Sequence, residues 1–151
     1  MFKLISLLFF ILNIKNTNCT NHGNYQQELK DFIIQNQYHT TIPKNKGRVN
    51  VSLSIAFRAF DNIDHIDGSI NMNSWLRYNW KDKNYGWDPK KWNNITNIKL
   101  NSDPELEYSI WTPDIYLYNT AEKPLSELDY TNVVLSHDGS IFWSRPGLIK
   151  S

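Results

Sequence analysis

Two aromatic side chains, Trp75 and Tyr118, are the residues of this sequence best suited to binding chemistry. In the run Ile115-Tyr116-Leu117-Tyr118, strand alternation places the aliphatic side chains on one face and the tyrosines on the other. An outward tyrosine beside an outward tryptophan could bind the flat face of a sugar or a cation. Because cation–π attraction contributes about 0.5–2 kcal/mol per well-placed ring, a cation site would need several rings.

Trp75 lies in a strand predicted from about residue 70 to residue 81. The even positions of this strand are mostly apolar and the odd positions mostly polar, so alternation places Trp80 in the core and Trp75 on the solvated face. A large ring on such a face either packs under a loop or a neighbouring subunit, or binds a ligand. The alternation leaves both explanations open.

Catalytic and metal-binding patterns are weak in comparison. The four histidines fall in predicted loops or at a hairpin end, without metal-ligand spacing: His22, His39, His65 and His137. There is no Gly-rich phosphate loop and no serine in a nucleophile-elbow pattern. Carboxylate pairs such as Glu105 and Glu107 lie in polar loops, where solvated charge is the simpler explanation. We therefore expect a binding protein, not an enzyme, with no metal site and no cofactor.

The elements that position these aromatics follow from periodicity. Apolar residues at helical spacing, at positions 25, 29, 32 and 33, predict one short amphipathic helix that ends before Pro43, with Asn24 as a possible N-cap. Alternation over 49–59 predicts a long strand with one buried face, and a short strand follows at 98–100. Two further strands flank Asp138-Gly139, a dipeptide favoured in two-residue hairpin turns. A helix followed by strands and turns predicts a mainly β fold, an all-β sandwich or barrel.

The segment from 110 to 119 reads as a strand that begins with a proline. Pro113 cannot donate a ladder hydrogen bond, which suits the start of a strand or an edge. Asp114 could hold the turn by accepting backbone N–H groups. The pair would then fix how the strand enters the sheet and where Tyr118 points.

The N-terminus has the form of a secretory signal. Lys3 precedes an apolar run of about ten residues, and small residues follow at Thr17 and Cys19. Because a bilayer span needs about twenty apolar residues, this run is too short to cross a membrane. We expect residues 1–19 to be a signal peptide and residues 20–151 to form one domain.

Charge and modification patterns fit the secretory route. Sixteen basic and fifteen acidic residues nearly cancel, and no basic stripe indicates nucleic-acid binding. The single cysteine allows no disulfide within the chain. Asn50-Val-Ser52 and Asn94-Ile-Thr96 are N-glycosylation sequons, so Asn50 and Asn94 are the expected glycan sites.

Several motifs together resemble the extracellular ligand-binding domain of pentameric Cys-loop ligand-gated ion channels, most closely nicotinic acetylcholine receptor subunits. The stretches are WLRYNW from Trp75, WDP from Trp87, WTPDIYLYN from Trp111, the Asp138-Gly139 hairpin and PGLIKS from Pro146. The similarity covers about residues 25–151. It implies an immunoglobulin-like β-sandwich, here incomplete, preceded by one short N-terminal α-helix.

The resemblance also implies roles for individual residues. In that family an aromatic cage between two subunits binds an amine, and Tyr118 matches a position on its principal wall, while Trp75 matches one on its complementary wall. Four later residues match further positions of the complementary wall: Asn132, Val134, Phe142 and Ser144. Five residues match scaffold positions: Trp80, Trp87, Trp111, Pro113 and Asp114.

Two departures from the family pattern matter. Arg145-Pro146 stands where the family usually has Pro-Pro, and the sequence stops at Ser151, where the first cysteine of the Cys-loop would follow. The later binding loops and the four membrane helices of the family are missing from the sequence. We therefore expect an N-terminal fragment of a receptor domain, a truncated one over residues 20–151.

The partners implied by the resemblance are a small amine neurotransmitter such as acetylcholine and the other subunits of a pentamer. The expected location is the secretory pathway and then the extracellular face of the plasma membrane, or secretion for the chain alone. The alternative is a soluble secreted β-sandwich binding protein. It would be either acetylcholine-binding-protein-like or carbohydrate-binding, with Trp75 and Tyr118 as stacking platforms.

Overall fold

The computed structural model describes residues 21–35, 42–43, 48–66, 68–115 and 130–150. Its elements in chain order are helix α1 Asn21–Gln35 and strands β1 Ser52–Asp64, β2 Ser69–Gly86, β3 Asn97–Asn101, β4 Asn132–Ser136 and β5 Asp138–Lys150. The strands form one sheet in the order β1-β2-β5-β4-β3, with every neighbouring pair antiparallel. A 3₁₀ turn at Pro89–Lys91 separates β2 from β3. The predicted mainly β class with a helix in front is confirmed, and the sheet is consistent with part of a β-sandwich.

Strands β2 and β5 form the centre of the sheet. Their register is unbroken from the pair Asn71–Lys150 to the pair Lys81–Ser140. On β2 the even positions Leu76, Tyr78 and Trp80 are buried, whereas the odd positions from Asn71 to Lys81 are exposed or half-buried. The alternation predicted for this strand is confirmed, because the period of two puts successive side chains on opposite faces.

The core lies on one face of the sheet. Tyr78 of β2 pairs with Trp143 of β5, and their ring centroids are 5.1 Å apart. Burial raises the pKa of the Tyr78 phenol, and the positive charge of Arg145 partly counteracts that rise. Strands β3 and β4 contribute further buried aliphatic side chains, each of which stabilises the fold by about 1.5–3 kcal/mol: Ile98, Leu100, Val133 and Leu135.

Strand β1 differs from its prediction. Leu53, Ile55 and Phe57 alternate as the sequence indicated, yet their side chains remain between 41% and 51% exposed. Because β1 is an edge strand, it has one neighbour, and no described element packs over these three side chains. The prediction of a strand is confirmed, and the prediction that one of its faces is buried is wrong.

Helix α1 packs against the sheet through two buried residues, Leu29 and Ile33. Tyr108, in the loop after β3, fixes the position of the helix through two hydrogen bonds. The Tyr108 hydroxyl donates to Asp31 Oδ1 at 2.7 Å and accepts from Gln27 Nε2 at 2.6 Å. The hydrogen bond to the Asp31 carboxylate is the main reason that the pKa of Tyr108 is raised.

The helix begins earlier than the sequence indicated. It starts at Asn21, so Asn24 lies within its first turns and is not the N-cap. The Asn24 side chain instead donates to Glu28 Oε1 at 3.1 Å, one turn further along. Such i,i+4 pairs stabilise a helix surface modestly.

The β4–β5 hairpin is confirmed, but its turn is longer than predicted. The pairs Val134–Phe142 and Leu135–Ile141 are symmetric about Asp138. The turn between the strands therefore has an odd number of residues and is not the two-residue turn that was predicted. Gly139 has a φ of +81°, and a Cβ there would overlap the backbone carbonyl oxygen of Asp82. Only glycine therefore fits this turn without rearrangement of the neighbouring strand.

The strand predicted over 110–119 is not seen in its described part. Residues 110–115 belong to no strand, although the Ile110 N–H donates to the Asn101 carbonyl at 3.1 Å. Pro113 is buried and has no N–H to continue this pairing. Residues 116–119, and Tyr118 with them, lie outside the described residues.

Candidate ligand-binding surface

The face of the sheet opposite the core carries most of the predicted binding residues. Side chains at odd positions of β2 and even positions of β5 share it, and we call it the open face. Three cross-strand pairs define it: Trp75–Pro146, Arg77–Ser144 and Asn79–Phe142. Neighbouring strands lie about 4.8 Å apart, so the members of each pair are adjacent.

Trp75 is half-buried on the open face. Its neighbour on β1 is Ala56, and its neighbour on β5 is Pro146. A methyl group and a rigid pyrrolidine ring are too short to cover an indole. The outward direction predicted for Trp75 is confirmed, and part of its surface remains accessible.

Strand β4 extends the open face beyond β5. Val134 pairs with Phe142, whose side chain is 39% exposed. The same register carried two residues further places Asn132 beside Ser144. The Thr131 hydroxyl donates to the Ser144 backbone carbonyl at 2.7 Å and holds the two strands together there. The structure therefore brings the four predicted residues of β4 and β5 together as two adjacent pairs.

Arg77 was missed as a functional candidate. It lies between Trp75 and Asn79 on the open face, and its side chain is exposed. Within the described part of the chain it forms no ion pair. The sequence placed it among the polar odd positions of β2, and the available signal was a permanent positive charge two residues from the candidate ring.

One end of the open face carries an ion pair. Lys81 Nζ lies 2.7 Å from Asp138 Oδ2, and both side chains are about half exposed. The hydrogen bond from Lys81 is the largest cause of a lowered Asp138 pKa, and two hydrogen bonds from Ser140 act in the same direction. Asp138 is therefore ionised at neutral pH and balances the positive charge of Lys81.

The three tryptophans expected to be scaffold residues lie in the hydrophobic core or against it. Trp80 is buried and meets Trp111 edge to face, with ring centroids 6.1 Å apart. Trp87 is buried, and its indole N–H donates to the Ile95 carbonyl at 2.7 Å. The burial of Trp80 and Trp87 is compatible with scaffold roles, which remain predictions for these two residues, for Trp111 and for Pro113. Asp114 is exposed, and its proposed role in the turn is likewise still a prediction.

The remaining expectations concern metal binding, membrane spans, glycan sites and the signal peptide. Among the described residues, no three His, Cys, Asp or Glu side chains are grouped to hold a metal ion. No helix of those ranges is both long and apolar enough to span a bilayer. Asn50 and Asn94 are exposed, whereas the predicted signal peptide, residues 1–19, lies outside the described residues.

A family model described as the neurotransmitter-gated ion-channel ligand binding domain matches residues 26–151. The chain belongs to this family. The family is one of ligand-gated channel receptors and not of enzymes, which confirms the resemblance and the expected absence of catalysis.

Three relatives show the range of similarity. The acetylcholine receptor subunit alpha-type acr-15 of Caenorhabditis elegans is 32% identical over 102 residues, 68% of this chain and 20% of that protein. The neuronal acetylcholine receptor subunit alpha-6 of Mus musculus is 29% identical over 95% of this chain and 28% of its own length. The beta-2 subunit of Gallus gallus is 28% identical over 98% of this chain and 29% of its own length. The chain therefore spans between a fifth and three tenths of the length of these curated relatives.

Proposed function

We propose that the open face of this ligand-binding domain forms the complementary wall of an amine-binding site between two receptor subunits. The observation that carries the proposal is Trp75, an accessible indole on a face that is otherwise mostly polar. Tryptophan is the best aromatic partner for a cation, and a ring contributes about 0.5–2 kcal/mol. An ammonium ligand would therefore gain most from this position.

Spacing along the strands supports a site shared with another surface. Phe142 lies four residues along β5 from Pro146, the partner of Trp75, which is about 13 Å at 3.3 Å per residue. A cation must lie within about 6 Å of a ring centroid to be attracted, so one ammonium group cannot use both rings. The described surface thus offers a single ring to the cation, and a cage needs rings from elsewhere.

Tyr118 is our candidate for a ring on the opposite, principal wall. In an assembly of subunits, Tyr118 of one subunit would face Trp75 of the next, while Asn132, Val134, Phe142 and Ser144 contact the uncharged part of the ligand. This arrangement matches the family resemblance of the sequence motifs.

For the whole protein we propose an extracellular agonist-gated channel function, with pentameric assembly, at the plasma membrane after passage through the secretory pathway. The family match and the receptor relatives support this proposal. The amine is of the acetylcholine type, since the relatives are named acetylcholine receptor subunits. The comparisons do not favour the alternative of a soluble secreted binding protein.

The test uses a chimeric receptor in which residues 26–151 replace the matching segment of a nicotinic subunit, expressed with unmodified partner subunits. Trp75→Ala should raise the acetylcholine concentration for half-maximal current about 2- to 30-fold, which corresponds to 0.5–2 kcal/mol. The half-maximal acetylcholine concentration of Trp75→Phe should lie between those of the wild type and Trp75→Ala. The control is Phe60→Ala, which removes a ring that is 62% exposed on β1. Equal effects of the two alanine variants would reject the proposed wall.

A further inference from the structure

We propose that an N-linked glycan on Asn50 lies in a cleft at one end of the open face and covers Phe142. The cleft has a volume of 450 Å³, and Asn50 is one of its lining residues. This volume falls within the roughly 300–1,000 Å³ of small-molecule sites, so the first sugar of a glycan has room to enter. The sugar would be attached at the wall of the cleft itself.

The sequon is placed for modification. Asn50 is exposed, precedes the first residue of β1, and has the hydroxyl residue Ser52 two positions on, with Val51 between them. Asn-X-Ser with X other than proline is the acceptor pattern for glycosylation in secreted proteins. Ser52 also lines the cleft, so both ends of the sequon face the same space.

The chemistry of the cleft suits a carbohydrate. Its other lining side chains include the amide of Asn79, the ammonium of Lys81 and the hydroxyl of Ser140. Amide and hydroxyl groups both donate and accept hydrogen bonds, as sugar hydroxyls do. The ring of Phe142, 39% exposed, adds an apolar surface for the C–H face of a sugar.

The register explains why these side chains meet. Ser52 of β1 pairs with Asn79 of β2, which pairs in turn with Phe142 of β5. The three residues therefore form one row across three strands on the open face. Asn50 lies two residues before Ser52, outside β1, and lines the same cleft as Lys81.

The consequence for ligand binding rests on the proposed function. A glycan in this cleft would cover Phe142, and so would remove it from the ligand-contacting residues proposed above, but it would leave Trp75, about 13 Å away along the strands, accessible. It would thereby shorten the complementary wall and favour a compact amine over a ligand long enough to reach Phe142. The glycan would act as a size filter.

The test needs no ligand. The full 151-residue chain is secreted from eukaryotic cells, and peptide-N-glycosidase releases the glycans from the native and the denatured chain. If a sugar fills the cleft nine-tenths of the time, release at Asn50 from the native chain is about tenfold slower, because only the open fraction is cut. Asn94, which is exposed and does not line the cleft, should be released at similar rates in both states.

Two variants show whether the cleft causes the protection. Phe142→Ala should bring native release at Asn50 close to the denatured rate, whereas Phe60→Ala, an exposed ring elsewhere, should leave the protection intact. An unmodified Asn50, or equal release from the native and denatured wild-type chain, would overturn the proposal. Neither of these results would bear on the proposed amine binding. Conversely, a chimeric receptor whose response is unchanged by Trp75→Ala would reject the proposed wall but not the position of the glycan.

Discussion

Replacing Arg77 with glutamine should strengthen the binding of a cationic ligand at Trp75. The two residues are two positions apart on the same face of β2, a separation of about 7 Å. Two unit charges at that distance repel by about 0.6 kcal/mol in water and about 2.4 kcal/mol at the effective dielectric of 20 typical of protein surfaces. Removing the arginine charge should therefore raise affinity between about threefold and sixtyfold.

The assay is acetylcholine competition binding on the chimeric receptor, with Arg77→Lys and Lys99→Gln beside Arg77→Gln. Arg77→Lys keeps the charge and should bind as wild type does. Lys99 is an exposed cation on the open face, opposite Val134 of β4, three strands away from Trp75. At that distance screening removes most of its effect, since the Debye length is about 10 Å at 0.1 M salt.

Salt provides a second check on the same reasoning. Because Arg77 is exposed, the gain from Arg77→Gln should shrink as the ionic strength rises to 1 M, where the Debye length is about 3 Å. A loss of affinity in Arg77→Gln would show that the guanidinium contacts the ligand favourably and would refute repulsion. An equal gain in Lys99→Gln would show a general surface effect unrelated to position.

Three further predictions concern stability and are read from urea unfolding of the secreted chain. Gly139→Ala should cost more than the roughly 1–2 kcal/mol of a left-handed alanine, since its Cβ also meets the Asp82 carbonyl. Gly68→Ala, with φ +64° and open space around it, should lose only the stability that a left-handed alanine costs. Equal losses of stability in Gly139→Ala and Gly68→Ala would contradict the overlap with Asp82. Trp87→Phe should destabilise by about 1–3 kcal/mol, because a buried carbonyl loses its donor; an unchanged midpoint would argue against this bond. Burial, with a smaller effect of Asp82, raises the pKa of Tyr85 from 10.0 to about 12. The folded state then holds that proton more tightly, so stability present below pH 10 should fall between pH 10 and 12, and less steeply in Tyr85→Phe.

The sequence predicted the parts of the molecule that are determined by local periodicity. The alternation in β2 identified Trp80 as buried and Trp75 as outward, because side chains of a strand with one buried face point alternately into and away from the core. The helix was predicted in the same way, because apolar residues three or four positions apart lie on one face of a helix. Motif resemblance then supplied the family, which the comparisons confirmed.

What the sequence could not predict depends on neighbours. The pattern of Leu53, Ile55 and Phe57 is that of a half-buried strand, but burial requires a second layer, and an edge position leaves these side chains exposed. The odd-numbered turn at Asp138 depends on the contact between Gly139 and β2, which no local dipeptide encodes. Arg77 became a candidate only when the register placed it beside Ser144 and Trp75 on one surface.

The unbroken register between β2 and β5 restricts how this surface can change over evolution. From Asn71 to Lys81 the odd positions of β2 form the wall, and the even positions from Ser74 to Trp80 form the core, so a one-residue slip of this stretch against β5 would exchange the two sets at once. Trp75 would turn inward and Trp80 outward in the same event. Ligand preference in such a domain can therefore diverge by substitution at odd positions, while changes of length are confined to the connections between strands.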